Sequence, residues 1–149
     1  MGVQTKIRPP EAAPAGRPRP ACAMPQVLDD PQFLQYLHSR FLGASEERLH
    51  IVYCDSRQRY LHDETLIIGS EHQLVLKARP LVSRALAIGA GSLVMAHNHL
   101  SGYCQPSPQD IRATHRLQAL GAALELTLID HLIFTRERFF SMAAAGLLA

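Results

Sequence analysis

No apolar run in the 149 residues comes near the ~20 needed to cross a bilayer, which excludes a helical membrane span. Nor does the N-terminus carry the apolar core of an export signal, so the expected location is the cytoplasm. Cysteine is scarce. Cys22, Cys54 and Cys104 are scattered, odd in number and form no Cys-x-x-Cys pair, which argues against a disulfide framework. Clustered basic charge is also missing from most of the chain. The net charge is +2, yet Lys6, Arg8, Arg17 and Arg19 stand against a single Glu11 in the first 25 residues, leaving the remainder slightly acidic. A duplex-binding body would show the opposite distribution, so direct DNA binding is not expected of the body and only weakly of the tail. No internal repeat is present.

What remains is the composition of a soluble domain, 47% hydrophobic and 19% charged, in a length that suits one core. Residues 1–28 hold six of the ten prolines and few large apolar groups, so they are expected to form a disordered, basic, Pro-rich tail. The domain is then residues 29–149. Asp30 and Pro31 open a helix with Phe33, Leu34, Leu37 and Phe41 on one face and Gly43 as its stop. Leu49 to Asp55 reads as a strand. Tyr60 to Glu64 and Leu66 to Ile68 are expected to complete a three-stranded meander. Pro80 opens a helix with Leu81, Val82, Ala85 and Leu86 inside. A strand from Leu93 to Ala96 and a helix from Pro108 follow, the helix carrying Ile111, Leu117 and Leu120 and stopping at Gly121. Strands at Leu124 to Leu128 and Leu132 to Thr135, a hairpin to Phe139 and Phe140, and a short helix over Ser141 to Ala145 close the chain. The order predicts an α/β fold, a mixed sheet flanked by helices.

The most informative stretch is Ala96 to Asp110. His97 and His99 lie two residues apart at a strand end, which puts both imidazoles on one face. Asp110 returns from the first turn of the next helix. Two imidazoles and a carboxylate with one free corner are the donor set of a catalytic zinc site. Such a site needs a carboxylate near the metal but not on it, to act as general base. Glu47, at the mouth of the first long strand, is the candidate, with Glu46 and Glu64 behind it. Ser107 could hydrogen-bond the attacking water or the developing oxyanion. Ser107 to Asp110 reads equally as a capped helix opening, and an Asp110 on a metal is expected not to reach back as a cap. His131 reads as a structural or site-adjacent histidine at the start of a strand. Cys104 reads as a loop-filling thiol or a soft ligand. His38, His50, His62, His72 and His115 have no ligand spacing.

His97-x-His99 followed by Ser107-x-x-Asp110, with a glutamate upstream, resembles the JAMM motif of the JAB/MPN metalloprotease superfamily. The fuller string His97, Asn98, His99, Ser101, Gly102, Pro106, Ser107, Asp110, together with Asp130 to Ile133, is similar to its RadC-like branch. The resemblance implies a JAB fold, zinc held by His97, His99 and Asp110, Glu47 as acid/base, and peptide or isopeptide cleavage of a protein substrate. The branch also carries a DNA-repair label. Three departures stand out: Leu100 replaces a usual proline, Ala78-Arg79-Pro80 replaces a usual Pro-Arg-Glu, and the branch's N-terminal helical region is matched only by the Pro-rich tail. They motivate an alternative, a non-catalytic JAB domain acting as a binding module in a repair- or mobile-element-associated complex.

Overall fold

A computed structural model describes residues 4–6, 30–69 and 77–148. The elements are β1 (Gln4–Lys6), α1 (Pro31–Ser39), β2 (Glu47–Cys54), β3 (Tyr60–Gly69), α2 (Ala78–Ala87), β4 (Ser92–Asn98), α3 (Pro108–Ala123), β5 (Thr127–Phe134) and β6 (Arg138–Ser141). One mixed sheet carries them in the order β1-β6-β5-β4-β2-β3. β4 and β5 run parallel, joined through α3, and the other neighbouring pairs are antiparallel. The architecture is therefore a single mixed α/β domain with helices against its sheet. Three residues of the tail, β1, pair with Arg138 to Phe140. The rest of the tail, and its expected disorder, lies outside the described residues.

Side-chain alternation explains the layers. On one face Val52, Cys54, Val94, Ala96, Leu132 and Phe134 pack against Phe33, Leu34 and Leu37 of α1. On the other, Leu49, Ile51, Tyr53, Leu93 and Met95 meet Leu81 and Ala85 of α2 and Leu117 of α3. A central strand buried on both faces reads as a continuous apolar run, and β4 is buried along its whole length. Its last face-sharing residue, His97, continues the Leu93–Met95 row towards α3.

Several boundaries differ from the sequence expectation. β3 is one strand rather than two, because Thr65 is no turn: it pairs with His50 across the ladder and its hydroxyl bonds the His50 ring (2.7 Å). β5 is likewise continuous through Asp130 and His131. The Asp130 carboxylate is satisfied inside the protein by the Ser141 hydroxyl (2.5 Å) and the Ala143 and His131 amides, so it does not break the strand. Leu86 and Leu120 are exposed, not inward. Gly121 sits within α3 rather than stopping it, where a Cβ would lie 2.4 Å from the Leu126 carbonyl oxygen. The final segment turns once after β6 and ends at Gly146 (φ 70°) without making a helix. Helix α2 starts at Ala78, two residues before Pro80, and its Lys77 N-cap supplies no side-chain cap.

Candidate metal centre

Helix α1 opens as expected, with Asp30 accepting the Gln32 and Phe33 amides and Pro31 in the first turn, and it contributes only packing. The chemistry collects at the other side of the sheet, where β4 ends and α3 begins. The ladder with β2 runs to the Leu49–His97 pair. The next residue but one, His99, is anchored by its own amide, which donates to the Phe134 carbonyl of β5 (2.9 Å). Helix α3 then returns Asp110, held in place by reciprocal capping: the Asp110 amide donates to the Ser107 hydroxyl (3.0 Å) and the Ser107 amide donates to Asp110 Oδ2 (2.8 Å).

Against the sequence expectation, capping and site duty do not exclude each other. Oδ2, while accepting from Ser107, also lies 3.1 Å from His99 Nε2, and Oδ1 lies 3.4 Å from His97 Nε2. A carboxylate has about four lone-pair sites, enough to serve both. The Nε2 atoms of His97 and His99 are 2.9 Å apart. Among the described residues these three are the one group whose donor atoms could hold a metal ion, all within 4.8 Å of one another. His97 and Asp110 are buried; His99 is partly open at its edge.

The outer nitrogens show where the ring protons sit. His99 Nδ1 lies 2.8 Å from the Tyr103 carbonyl, which can only accept, so Nδ1 carries hydrogen, and in the neutral ring Nε2 keeps its lone pair. His97 Nδ1 lies 2.7 Å from His131 Nε2, and His131 Nδ1 lies 2.7 Å from the Thr114 hydroxyl. That hydroxyl donates to the Asp110 carbonyl (2.6 Å). With its hydrogen committed there, Thr114 accepts from His131 Nδ1–H, His131 Nε2 accepts from His97 Nδ1–H, and His97 Nε2 is left bare. Two bare ring nitrogens and an anionic carboxylate thus converge on one point. Such a donor set repels itself unless a cation lies within it, so these residues fit a divalent metal.

Burial, reinforced for His131 by the neighbouring His97, holds both rings below the usual histidine range and therefore neutral. At His99 burial is outweighed by Asp110 and the Tyr103 carbonyl, which together raise it. Burial alone would raise Asp110, but the His97 and His99 rings that face it and the Ser107 amide keep its carboxyl well below the carboxylate range. The centre is built to attract positive charge.

Glu47 is buried at the first position of β2, two residues before Leu49, and its charge acts on both His97 and His99. Its backbone is clamped by a residue that carried no role in the sequence reading. The amide hydrogen of Arg48 is donated to Asn98 Oδ1 (2.7 Å), and Asn98 Nδ2 donates to the Glu46 carbonyl (3.1 Å). One carboxamide, standing between the two histidines, thus holds the chain on either side of Glu47. The Glu46 side chain instead lies near Arg48 (3.9 Å). Glu64, opposite Ile51, accepts the Tyr53 hydroxyl (2.5 Å) and faces Arg84. Cys104 is buried with Ile133, Phe140 and Met142, a loop filler outside the donor group. Leu100 is exposed on the loop beyond His99, as is Tyr103, the most exposed large hydrophobic side chain described.

This fold is compatible with a JAB-type α/β domain, and the donor group is consistent with metal use in that family. The profile described as "RadC-like JAB domain" matches residues 28–147, and the chain belongs to that family. A UPF0758 protein of Paraburkholderia xenovorans is 34% identical over 124 residues, covering 83% of this chain and 49% of its own length. One from Methylibium petroleiphilum is 34% identical over 127 residues (85% and 57%), and one from Halalkalibacterium halodurans 37% over 107 (72% and 45%). The chain spans about half the length of the curated relatives it matches. Among the described residues no helix is long and apolar enough to cross a membrane.

Proposed function

We propose that this domain is a zinc-dependent hydrolase of peptide or isopeptide bonds, with His97, His99 and Asp110 as the metal ligands. The observation carrying this reading is the bare Nε2 pair facing a buried Asp110, each ring fixed by a partner at its far nitrogen. A bound zinc supplies Lewis acidity and brings the pKa of water towards ~7, so that attack on a carbonyl proceeds at neutral pH. Glu47 takes the proton from the attacking water and delivers it to the leaving amine, a role worth roughly 100- to 10,000-fold. Ser107, whose hydroxyl oxygen accepts the Asp110 amide, keeps its hydrogen for the water or the developing oxyanion. The substrate is a protein or peptide that presents its bond in extended form at the open edge of His99.

Protein purified without chelator carries about one zinc per chain under this reading. His97→Ala and Asp110→Ala lose it, whereas Glu47→Gln keeps it and stops turnover of lysine isopeptides. Folded protein devoid of any transition metal overturns the proposal. Metal-loaded protein whose biological effect is untouched by Glu47→Gln supports the alternative, a binding module, for which the exposed Leu100 and Tyr103 beside the site are the supporting observation.

A further inference from the structure

We infer that Thr114 is a positioning residue that sets the metal affinity of the centre from helix α3, by dictating through His131 which nitrogen of His97 carries hydrogen. The inference rests on the zinc reading and extends it to a residue that touches no ligand side chain. Thr114 is fully buried, one helical turn after Asp110. Its hydroxyl has three neighbours: the Asp110 carbonyl at 2.6 Å, His131 Nδ1 at 2.7 Å and the Met142 sulfur at 3.7 Å. The carbonyl is the strongest acceptor of the three and the closest, so the hydroxyl hydrogen goes there.

The direction of that single bond propagates. If Thr114 gives its hydrogen to Asp110, it can only accept from His131, and the chain of donors ends with a bare His97 Nε2. If Thr114 instead gave it to His131 Nδ1, then His131 Nε2 would bear hydrogen and donate to His97 Nδ1. The His97 hydrogen would then move to Nε2, inside the donor group, where it blocks a metal. Asp110 thus contributes twice, by its side chain to the centre and by its backbone oxygen to the polarity of the relay. Removing the Thr114 hydroxyl leaves His131 Nδ1 without an acceptor in a fully buried position, and the cheaper arrangement protonates the wrong nitrogen. Changes of this kind in the support of a ligand weaken metal binding by about 10- to 100-fold.

The test uses the whole chain. Zinc affinity is measured by competition with a chromogenic chelator for the wild type, Thr114→Val and Thr114→Ser, and long-range nitrogen–proton spectra of the zinc-loaded wild type locate the ring hydrogens. The expected result is a His131 with hydrogen on Nδ1, affinity reduced about 10- to 100-fold in Thr114→Val and restored in Thr114→Ser. A Thr114→Val protein that binds zinc as tightly as the wild type overturns the inference, as does a His131 with hydrogen on Nε2. A wild type without zinc affinity overturns the metal reading itself, which is a distinct outcome because no variant is involved. Thermal melts of the metal-free proteins separate loss of affinity from loss of fold: valine fills the same volume, so equal melting with unequal affinity supports the relay.

Discussion

Asn98 Oδ1 accepts the Arg48 amide hydrogen at 2.7 Å, which ties the end of β4, between His97 and His99, to the backbone next to Glu47. The bond acts where the β2–β4 ladder ends, at the Leu49–His97 pair, and does the work of a further rung.

Asn98→Ala is accordingly expected to separate metal binding from turnover. Zinc content stays at about one per chain, the Arg48 amide exchanges faster with solvent, and turnover falls by about 10- to 100-fold. Loss of zinc together with turnover would show that Asn98 supports the ligands rather than Glu47.

Asp63 offers a pH prediction away from the centre. Burial alone would raise its carboxyl, but hydrogen bonds from His50 (2.9 Å), Tyr36 and Tyr60 hold it well below the usual range. A carboxyl depressed in the folded state adds stability that is complete above its unfolded pKa and disappears as pH falls through the folded one. Asp63→Asn is expected to cost about 2–3 kcal/mol at pH 7, read from urea unfolding. The gap between wild type and variant should shrink steadily below about pH 4. A gap that persists undiminished to pH 2 would mean that Asp63 is not ionised in the folded protein.

Gly121→Ala sets two effects against each other. Alanine favours a helix interior by about 1 kcal/mol over glycine. Its Cβ, however, would meet the Leu126 carbonyl oxygen at 2.4 Å, a backbone atom that cannot swing away. The clash wins, and a net loss of about 1–3 kcal/mol is expected in the denaturation midpoint. An unchanged or higher midpoint would show that the turn after α3 yields easily.

Ser107→Ala removes a cap and should cost about 1 kcal/mol of stability. Zinc content should not change, because Asp110 is held towards the centre by the Ser107 backbone amide, which alanine retains. A variant depleted in zinc would assign the hydroxyl itself to the ligand geometry.

The donor group was legible in the sequence because its geometry is local. His97 and His99 share a face by strand alternation, and Asp110 follows within one loop, in a helix opening marked by Ser107 and Pro108. The family motif, the mixed sheet and the capped α1 were legible for the same reason. Thr114 and the duty of Asn98 were not, and His131 was legible only as a structural or site-adjacent residue, because their duties arise from pairings far apart in the chain. His131 shows the difficulty. Alternation from Leu128 would turn Asp130, not His131, towards α3, but an irregularity in the β4–β5 ladder shifts the register so that Met95 pairs with His131. Beyond the family match, the sequence offers only a polar Asp130–His131 pair inside an apolar run, which suggests a strand start. Thr65 and Gly121 misled in the same way: residues that punctuate a chain elsewhere are here held by a cross-strand ring and a close backbone approach.

All three donors, together with Thr114 and His131, come from the contiguous crossover β4–α3–β5, whereas Glu47 arrives from β2, on the other side of the sheet order. On the proposed reading, gripping an ion and moving protons are therefore written in different parts of the gene. A single drift at codon 47 would then silence the chemistry yet leave the cation and the architecture intact, a short route from cutter to inert scaffold.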